Sequence, residues 1–328
     1  MTDDPTEPAS ARSSDDDGGP SLPALDELLA VLDLQPLGSA HISVRGAEGD
    51  TETDLGLSSA AVFVGQSQKQ HHGRVFGGQV LAQSVIAAGR TVDGIGDTPR
   101  HIHSLHAYFV RAGDDSHPIR FAVENIRDGN SFSTRRVHAI QYGMPILSMI
   151  TSFQSHSVGL EHQDPMPAAP DPESLPSLAE VAKTVDDPRT RHFARNRPID
   201  LRHVEGPIHV RPGRQLAPQQ SVWLKAIGKL PDDPLIHAAV LAYASDYSLL
   251  EPILRRHGLA WSDPRLRVAS LDHAMWFHRP GRADEWVLYT ERSPTAQGGR
   301  GLSTGQMFSA DGALIATVAQ EGMTRLKG

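Results

Sequence analysis

Two periods of apolar spacing run along the chain. Residues 76–92 carry apolar side chains at helical spacing behind Gly77-Gly78, which predicts one long helix. Around it, residues 41–153 alternate with the period of two expected of strands. Asp128-Gly129, between the alternating runs 119–126 and 131–140, predicts a hairpin turn. A short helix is predicted over 25–32. Residues 155–215 are rich in proline and polar side chains and read as a connector, with one helical stretch near 178–183. The pattern then returns: a strand over 221–227, then Asp233-Pro234, an N-cap followed by proline at the first helical position. That second helix is expected to run to about residue 250, where Pro252 bends or ends it. Strands follow at 268–277, 286–291, 301–308 and 313–320, the last two joined across Asp311-Gly312.

The halves read as distant copies. Val80-Leu81-Ala82 in the first helix matches Val240-Leu241-Ala242 in the second. Ser104-Leu105-His106-Ala107-Tyr108-Phe109 resembles the stretch from Ser270 to Phe277, with small insertions. One long helix against a curved antiparallel sheet, made twice, predicts an α+β double hotdog with the two sheets paired edge to edge. The expected divisions are a disordered tail over 1–22, an N-terminal hotdog over 23–155, a linker over 156–215 and a C-terminal hotdog over 216–328.

Composition removes several function classes. The chain has 328 residues, 39% hydrophobic and 21% charged, and a net charge of -8. That charge argues against a nucleic-acid partner, which calls for a basic face. The absence of cysteine excludes a disulfide framework, a Cys nucleophile and a thiolate metal site. No apolar run reaches membrane-spanning length, the N-terminus is not signal-like, and Arg325-Leu326-Lys327-Gly328 is not a peroxisomal tripeptide. A cytoplasmic location is expected.

Candidate chemistry centres on Asp246. Leu235, Ala239, Ala242, Asp246, Leu249 and Ile253 form one helical stripe beside a second apolar one, Ile236, Val240, Tyr243, Tyr247 and Leu250. A carboxylate in the middle of a buried face is costly unless it is paired, hydrogen-bonded or functional. The matching position in the first helix is Ile86, so the fold itself does not demand the acid. Ser270 and Gln320 are polar residues on otherwise apolar alternations, Val268–Ser270–Asp272–Ala274–Trp276 and Leu314–Ala316–Val318–Gln320. Together with Asp246 they suit one water: the acid takes its proton while hydroxyl and amide orient it.

Longer motifs carry a resemblance. Arg74-Val75-Phe76-Gly77-Gly78-Gln79, Arg127-Asp128-Gly129-Asn130-Ser131-Phe132 and Ser152-Phe153-Gln154 lie in the first half. Tyr243-Ala244-Ser245-Asp246, Leu271-Asp272-His273-Ala274-Met275-Trp276-Phe277-His278-Arg279-Pro280 and Val318-Ala319-Gln320-Glu321-Gly322 lie in the second. In order and spacing, from about residue 28 to 326, they resemble the acyl-CoA thioesterase II family (TesB-type). The resemblance implies the double hotdog and hydrolysis of medium- to long-chain acyl-CoA. It also implies a catalytic Asp, Ser or Thr, and Gln, carried onto Asp246, Ser270 and Gln320. No cofactor is expected, since CoA arrives as part of the substrate, and a homo-oligomer (a dimer or a dimer of dimers) is expected.

Other residues have assigned or dismissed roles. Backbone N–H groups at Gly77 and Gly78 suit an anion or a polarised thioester carbonyl, although helix packing accounts for the glycines as well. Arg135 and Arg136 are candidates for the CoA phosphates. Gly301-Leu302-Ser303-Thr304-Gly305 fits a nucleophile-elbow pattern but lacks the helix that must follow it. His101, His103 and His106 cannot all share one strand face, so no metal site is expected. Two rival functions are an enoyl-CoA hydratase, with His273 as a partner, and a non-catalytic acyl-CoA binding protein.

Overall fold

The computed structural model describes residues 22–41, 59–185, 191, 194, 196–209 and 211–327. The expected tail over 1–22 lies almost wholly outside them. Five helices are named here: α1 (Leu22–Leu32), α2 (Gly77–Gly89), α3 (Leu178–Lys183), α4 (Pro234–Ser245) and α5 (Glu251–Arg256). In the first half the strands are β1 (Gln35–His41), β2 (Ser59–Gly65), β3 (Arg100–Phe109), β4 (Ile119–Asp128), β5 (Phe132–Gln141) and β6 (Met144–Ser155). The second half has β7 (Ile199–His203), β8 (Gln219–Ala226), β9 (Leu266–Ser270), β10 (Asp272–Phe277), β11 (Val287–Gln297), β12 (Arg300–Ser309) and β13 (Leu314–Leu326).

The strands form one sheet in the order β1-β2-β4-β5-β6-β3-β10-β13-β12-β11-β8-β7, with β9 continuing against β13. Read outward from the β3–β10 seam, both halves give the same order, so the repeat seen in the sequence is a repeat of topology. The segments that resembled each other, 104–109 and 270–277, are the strands that join the halves: Ala274 pairs with His106 and Trp276 with Ser104, antiparallel. This is the double hotdog.

Helices α2 and α4 pack on one another inside the curved sheet. That explains why α2 is buried on every side, including Gln79, Gln83 and Ser84. Burying these polar groups requires partners. Gln83 Nε2 donates to the carbonyls of Val31 and Gln66 at 2.9 and 2.8 Å, and Gln79 Oε1 accepts from the Gln68 N–H.

Three local expectations change. Helix α4 starts as predicted, with the Asp233 side chain accepting from the Leu235 N–H at 2.8 Å, but it ends at Ser245 with Asp246 as its C-cap. Asp246 is therefore not mid-helix; turns carry the chain to α5, where Pro252 sits in the first turn. The connector contains β7, whose Ile199, Leu201 and His203 face inward and complete the outer edge of the second sheet, as β1 does the first. The single strand over 268–277 is two strands. Ser270 pairs with Gly322, and Ala274 with Ala319, so four steps on one strand oppose three on the other. That is a β-bulge, and it reverses the facing of the residues beyond it.

Candidate active site

The bulge at Leu271 builds one wall of the site. The Leu271 N–H donates to the Glu321 carbonyl, the Leu271 carbonyl accepts from the Phe109 N–H, and Asp272 Oδ1 accepts from the Glu321 N–H at 2.7 Å. With one residue inserted, Ser270 before the bulge and His273 and Met275 beyond it all turn toward the helices. The uniform face from Val268 to Trp276 expected from strict alternation does not form, and Trp276 lies on the outer face.

Asp246, Ser270 and Gln320 come together. Gln320 Nε2 donates to Asp246 Oδ1 at 3.0 Å and to Ser270 Oγ at 2.6 Å; Ser270 Oγ lies 3.4 Å from the same carboxylate oxygen. Gln320 is buried on the inner face of β13. The first half closes the group. Helix α2 begins at Phe76 with no side-chain cap, and the Gly78 N–H faces the Asp246 carboxylate and favours its ionised form. The Asp246 carboxylate thus does for α2 what a capping side chain does for most helices. Both glycines are needed for this approach. A Cβ on Gly77 would stand 2.7 Å from Asp246 Oδ2, and one on Gly78 would stand 2.4 Å from the Tyr243 carbonyl oxygen. Helix packing and site geometry therefore place the same demand on the pair.

Burial raises the Asp246 pKa to about 6, with Gln320, Gly78 and Ser270 pulling the other way. Desolvation wins because no cation faces the carboxylate among these partners. A second layer, absent from the candidate set, stands behind Gln320. His273 Nδ1 is hydrogen-bonded to Gln320 Oε1, and His273 Nε2 lies 3.0 Å from Ser245 Oγ. Period-two spacing of His273, Met275 and Phe277 was the available signal for the inward face, but the bulge concealed that Ser270 shares it. Phe76 and Tyr247, neighbours in the chain of Gly77 and Asp246, stack at 4.9 Å. With Tyr243, Gln68 and Arg197 they line a cavity of about 320 Å³.

The two candidate arginines differ. Arg135 is 1% exposed, and its guanidinium bonds Thr91, Asn125 and the Asp128 carboxylate at 2.8 to 2.9 Å. Those bonds tie the end of α2 to the β4–β5 hairpin and leave Arg135 no face for phosphates. Arg136 stays half-exposed and pairs with Glu124 at 3.3 Å. Ser303 lies on β12, with β13 following across a hairpin. Among the described residues no His, Cys, Asp or Glu cluster has the grouping of a metal site.

Two family models match the chain: "Acyl-CoA thioesterase N-terminal domain" over residues 66–154 and "Acyl-CoA thioesterase" over 191–323. Acyl-CoA thioesterase 2 of Haemophilus influenzae is 39% identical over 270 residues, covering 80% of this chain and 92% of that one. The chain belongs to the acyl-CoA thioesterase II family. It is accordingly a hydrolase. Human acyl-coenzyme A thioesterase 8 is also 39% identical, over 77% of this chain and 81% of its own. The crystal structure of the acyl-CoA thioesterase II TesB2 from Mycobacterium marinum superposes with a TM-score of 0.68 at 40% identity, covering 92% of this chain and 98% of that one. The two matched regions of this thioesterase fall on its two structural repeats, one on each side of the β3–β10 seam.

Proposed function

We propose that this thioesterase hydrolyses medium- to long-chain fatty acyl-CoA to free fatty acid and CoA through a water held by Asp246, Ser270 and Gln320. Asp246 removes a proton as the water oxygen bonds the thioester carbon. The C–S bond then breaks, and the proton passes to the departing sulfur. Gln320 and Ser270 orient the water, and the Gly77 N–H at the start of α2 receives the developing oxyanion. Arg136, the arginine of the candidate pair that keeps exposed surface, is the one retained for the CoA phosphates. No covalent intermediate and no cofactor enters.

The observation that carries this reading is the desolvated acid Asp246 beside the junction of the two halves, held by Gln320 at 3.0 Å and faced by the Gly78 N–H, with a pKa near 6. An acid so poised is ionised at neutral pH yet basic enough to accept a proton. The same proposal assigns the enzyme to the cytoplasm. Exposed Tyr108, Ile150 and Trp276 on neighbouring strands β3, β6 and β10 offer a face for a second copy of the chain.

The test is thiol release from saturated acyl-CoAs of graded length, followed with a thiol-reactive dye; a chain without cysteine adds no background. Release that rises with chain length and disappears in Asp246→Ala supports the proposal. Release that survives in Asp246→Ala removes the site assignment. Binding without release leaves a binding protein, and hydration of an enoyl-CoA without CoA release leaves a hydratase.

A further inference from the structure

We infer that His273 is a positioning residue which, braced by Ser245, fixes the orientation of the Gln320 amide so that its NH2 group faces Asp246. The inference rests on the assignment of Asp246, Ser270 and Gln320 given above.

A glutamine side chain can sit in two orientations related by a flip, and nothing in its shape selects between them. In the observed orientation the Gln320 nitrogen donates to Asp246 and Ser270 while its oxygen meets His273 Nδ1. The flipped orientation turns the amide oxygen toward an ionised carboxylate and leaves Ser270 to donate. Which one persists depends on what His273 presents. An Nδ1–H requires the amide oxygen, and that tautomer leaves Nε2 as an acceptor. The group facing Nε2 is the Ser245 hydroxyl at 3.0 Å, which can donate to it. Ser245 Oγ also reaches the Ala242 carbonyl at 2.9 Å, and with its proton committed there Nε2 would carry the hydrogen and Nδ1 would call for the flipped amide. The ionised Asp246 at the far end, which needs a donor from Gln320, selects the arrangement in which the Ser245 proton goes to Nε2. The chain Ser245–His273–Gln320–Asp246 is therefore a line of donors with one consistent direction.

The setting keeps the line intact. His273 is fully buried, and burial holds its pKa down at about 4, so the ring stays neutral with one N–H throughout the range in which Asp246 is ionised. Tyr289, also fully buried, donates to the Ser245 carbonyl at 3.4 Å and so ties the end of α4, which carries both Ser245 and Asp246, to β11. His273 touches neither Asp246 nor Ser270 among its hydrogen-bond partners. It acts through Gln320.

The experiment measures kcat, KM and the pH dependence of kcat/KM for acyl-CoA hydrolysis by His273→Phe, His273→Asn, Ser245→Ala, Gln320→Ala and the His273→Phe/Gln320→Ala double variant. His273→Phe is expected to lower kcat by about ten- to a hundredfold, the loss of one hydrogen bond to a charged group, with KM nearly unchanged. The acidic limb of its pH profile moves above the parental position, because Asp246 loses a donor to its ionised form. His273→Asn, which keeps an N–H near the place of Nδ1, recovers part of the loss, and the double variant is no slower than Gln320→Ala. Parental kcat and pH profile in His273→Phe beside an impaired Gln320→Ala overturns the inference alone. Parental kcat in Gln320→Ala removes the underlying site and the inference with it. Should His273→Phe not fold, parental behaviour of both His273→Asn and Ser245→Ala overturns it.

Discussion

The Gly78 N–H at the start of α2 faces the carboxylate of Asp246 at the end of α4 and stabilises its ionised form. That contact crosses from one repeat to the other, whereas Gln320 and Ser270 hold the acid from its own half. The crossing also sets a steric limit, since both glycines of the pair meet α4 or its C-cap more closely than a Cβ permits.

That limit separates two variants. Gly78→Ala presses a methyl group against the Tyr243 carbonyl, a backbone atom that moves only with its helix, and is expected to cost about 1–3 kcal/mol of stability. Gly77→Ala meets the mobile carboxylate of Asp246 and the Phe109 ring, and is expected to lose turnover with a smaller change in denaturation midpoint. Denaturant titrations and steady-state rates on both variants check the split; equal effects on stability and rate from the two would contradict it.

Removing the acid or the amide should stop chemistry without unfolding the chain. Asp246→Asn and Gln320→Ala are each expected to lower kcat by at least about 10²-fold, the lower range for general-base assistance. Since burial makes the ionised Asp246 a cost to the fold, Asp246→Asn should be at least as stable as the parent at pH 8. Circular dichroism melts beside single-turnover rates give the answer.

The pH dependence has a definite sign. Asp246 accepts a proton only when ionised, so kcat/KM should fall as pH drops through about 6 and level off above it. A profile flat from pH 5 to 8 would be incompatible with Asp246 as the base.

Glu291 gives an independent pH effect on stability. It is buried and accepts from Ser248 Oγ at 2.6 Å and Gln220 Nε2 at 2.5 Å, yet burial lifts its pKa from 4.5 to about 8. The folded chain therefore keeps a proton that the unfolded chain releases. This contribution is complete below pH 4.5 and is lost as pH rises through about 8. Glu291→Gln should be more stable than the parent at pH 9 and closer to it at pH 5, as measured by urea unfolding at the two pH values.

Arg135 is a structural strut. Arg135→Ala removes the buried guanidinium that bonds Thr91, Asn125 and Asp128, while the partly exposed Asp128 keeps Ser133 and Asn125, and should cost about 1–3 kcal/mol, with KM for acyl-CoA unchanged in the folded protein. A stable variant with a raised KM would return Arg135 to the substrate phosphates.

Much of the molecule was determined by the sequence itself, because the relevant physics is local. Helix and strand periods, the Asp233-Pro234 start, the Asp128-Gly129 turn and the repeated plan each depend on residues a few positions apart. Asp246 stood out for the same reason: an acid on an apolar stripe is anomalous whatever surrounds it. The tertiary structure alone decided the rest. The bulge at Leu271 exists only in the pairing of β9 and β10 with β13, so alternation within one segment could not place Ser270 and His273 on a common face. Five connector residues became β7 because the second sheet had an open edge to fill. Arg135 was lost to the substrate because Thr91 and Asp128, 44 and 7 positions away in the sequence, fold against it. A carboxylate's pKa, an amide's orientation and a glycine's clearance are set by what long-range packing brings within a few ångströms, and no local pattern carries that information.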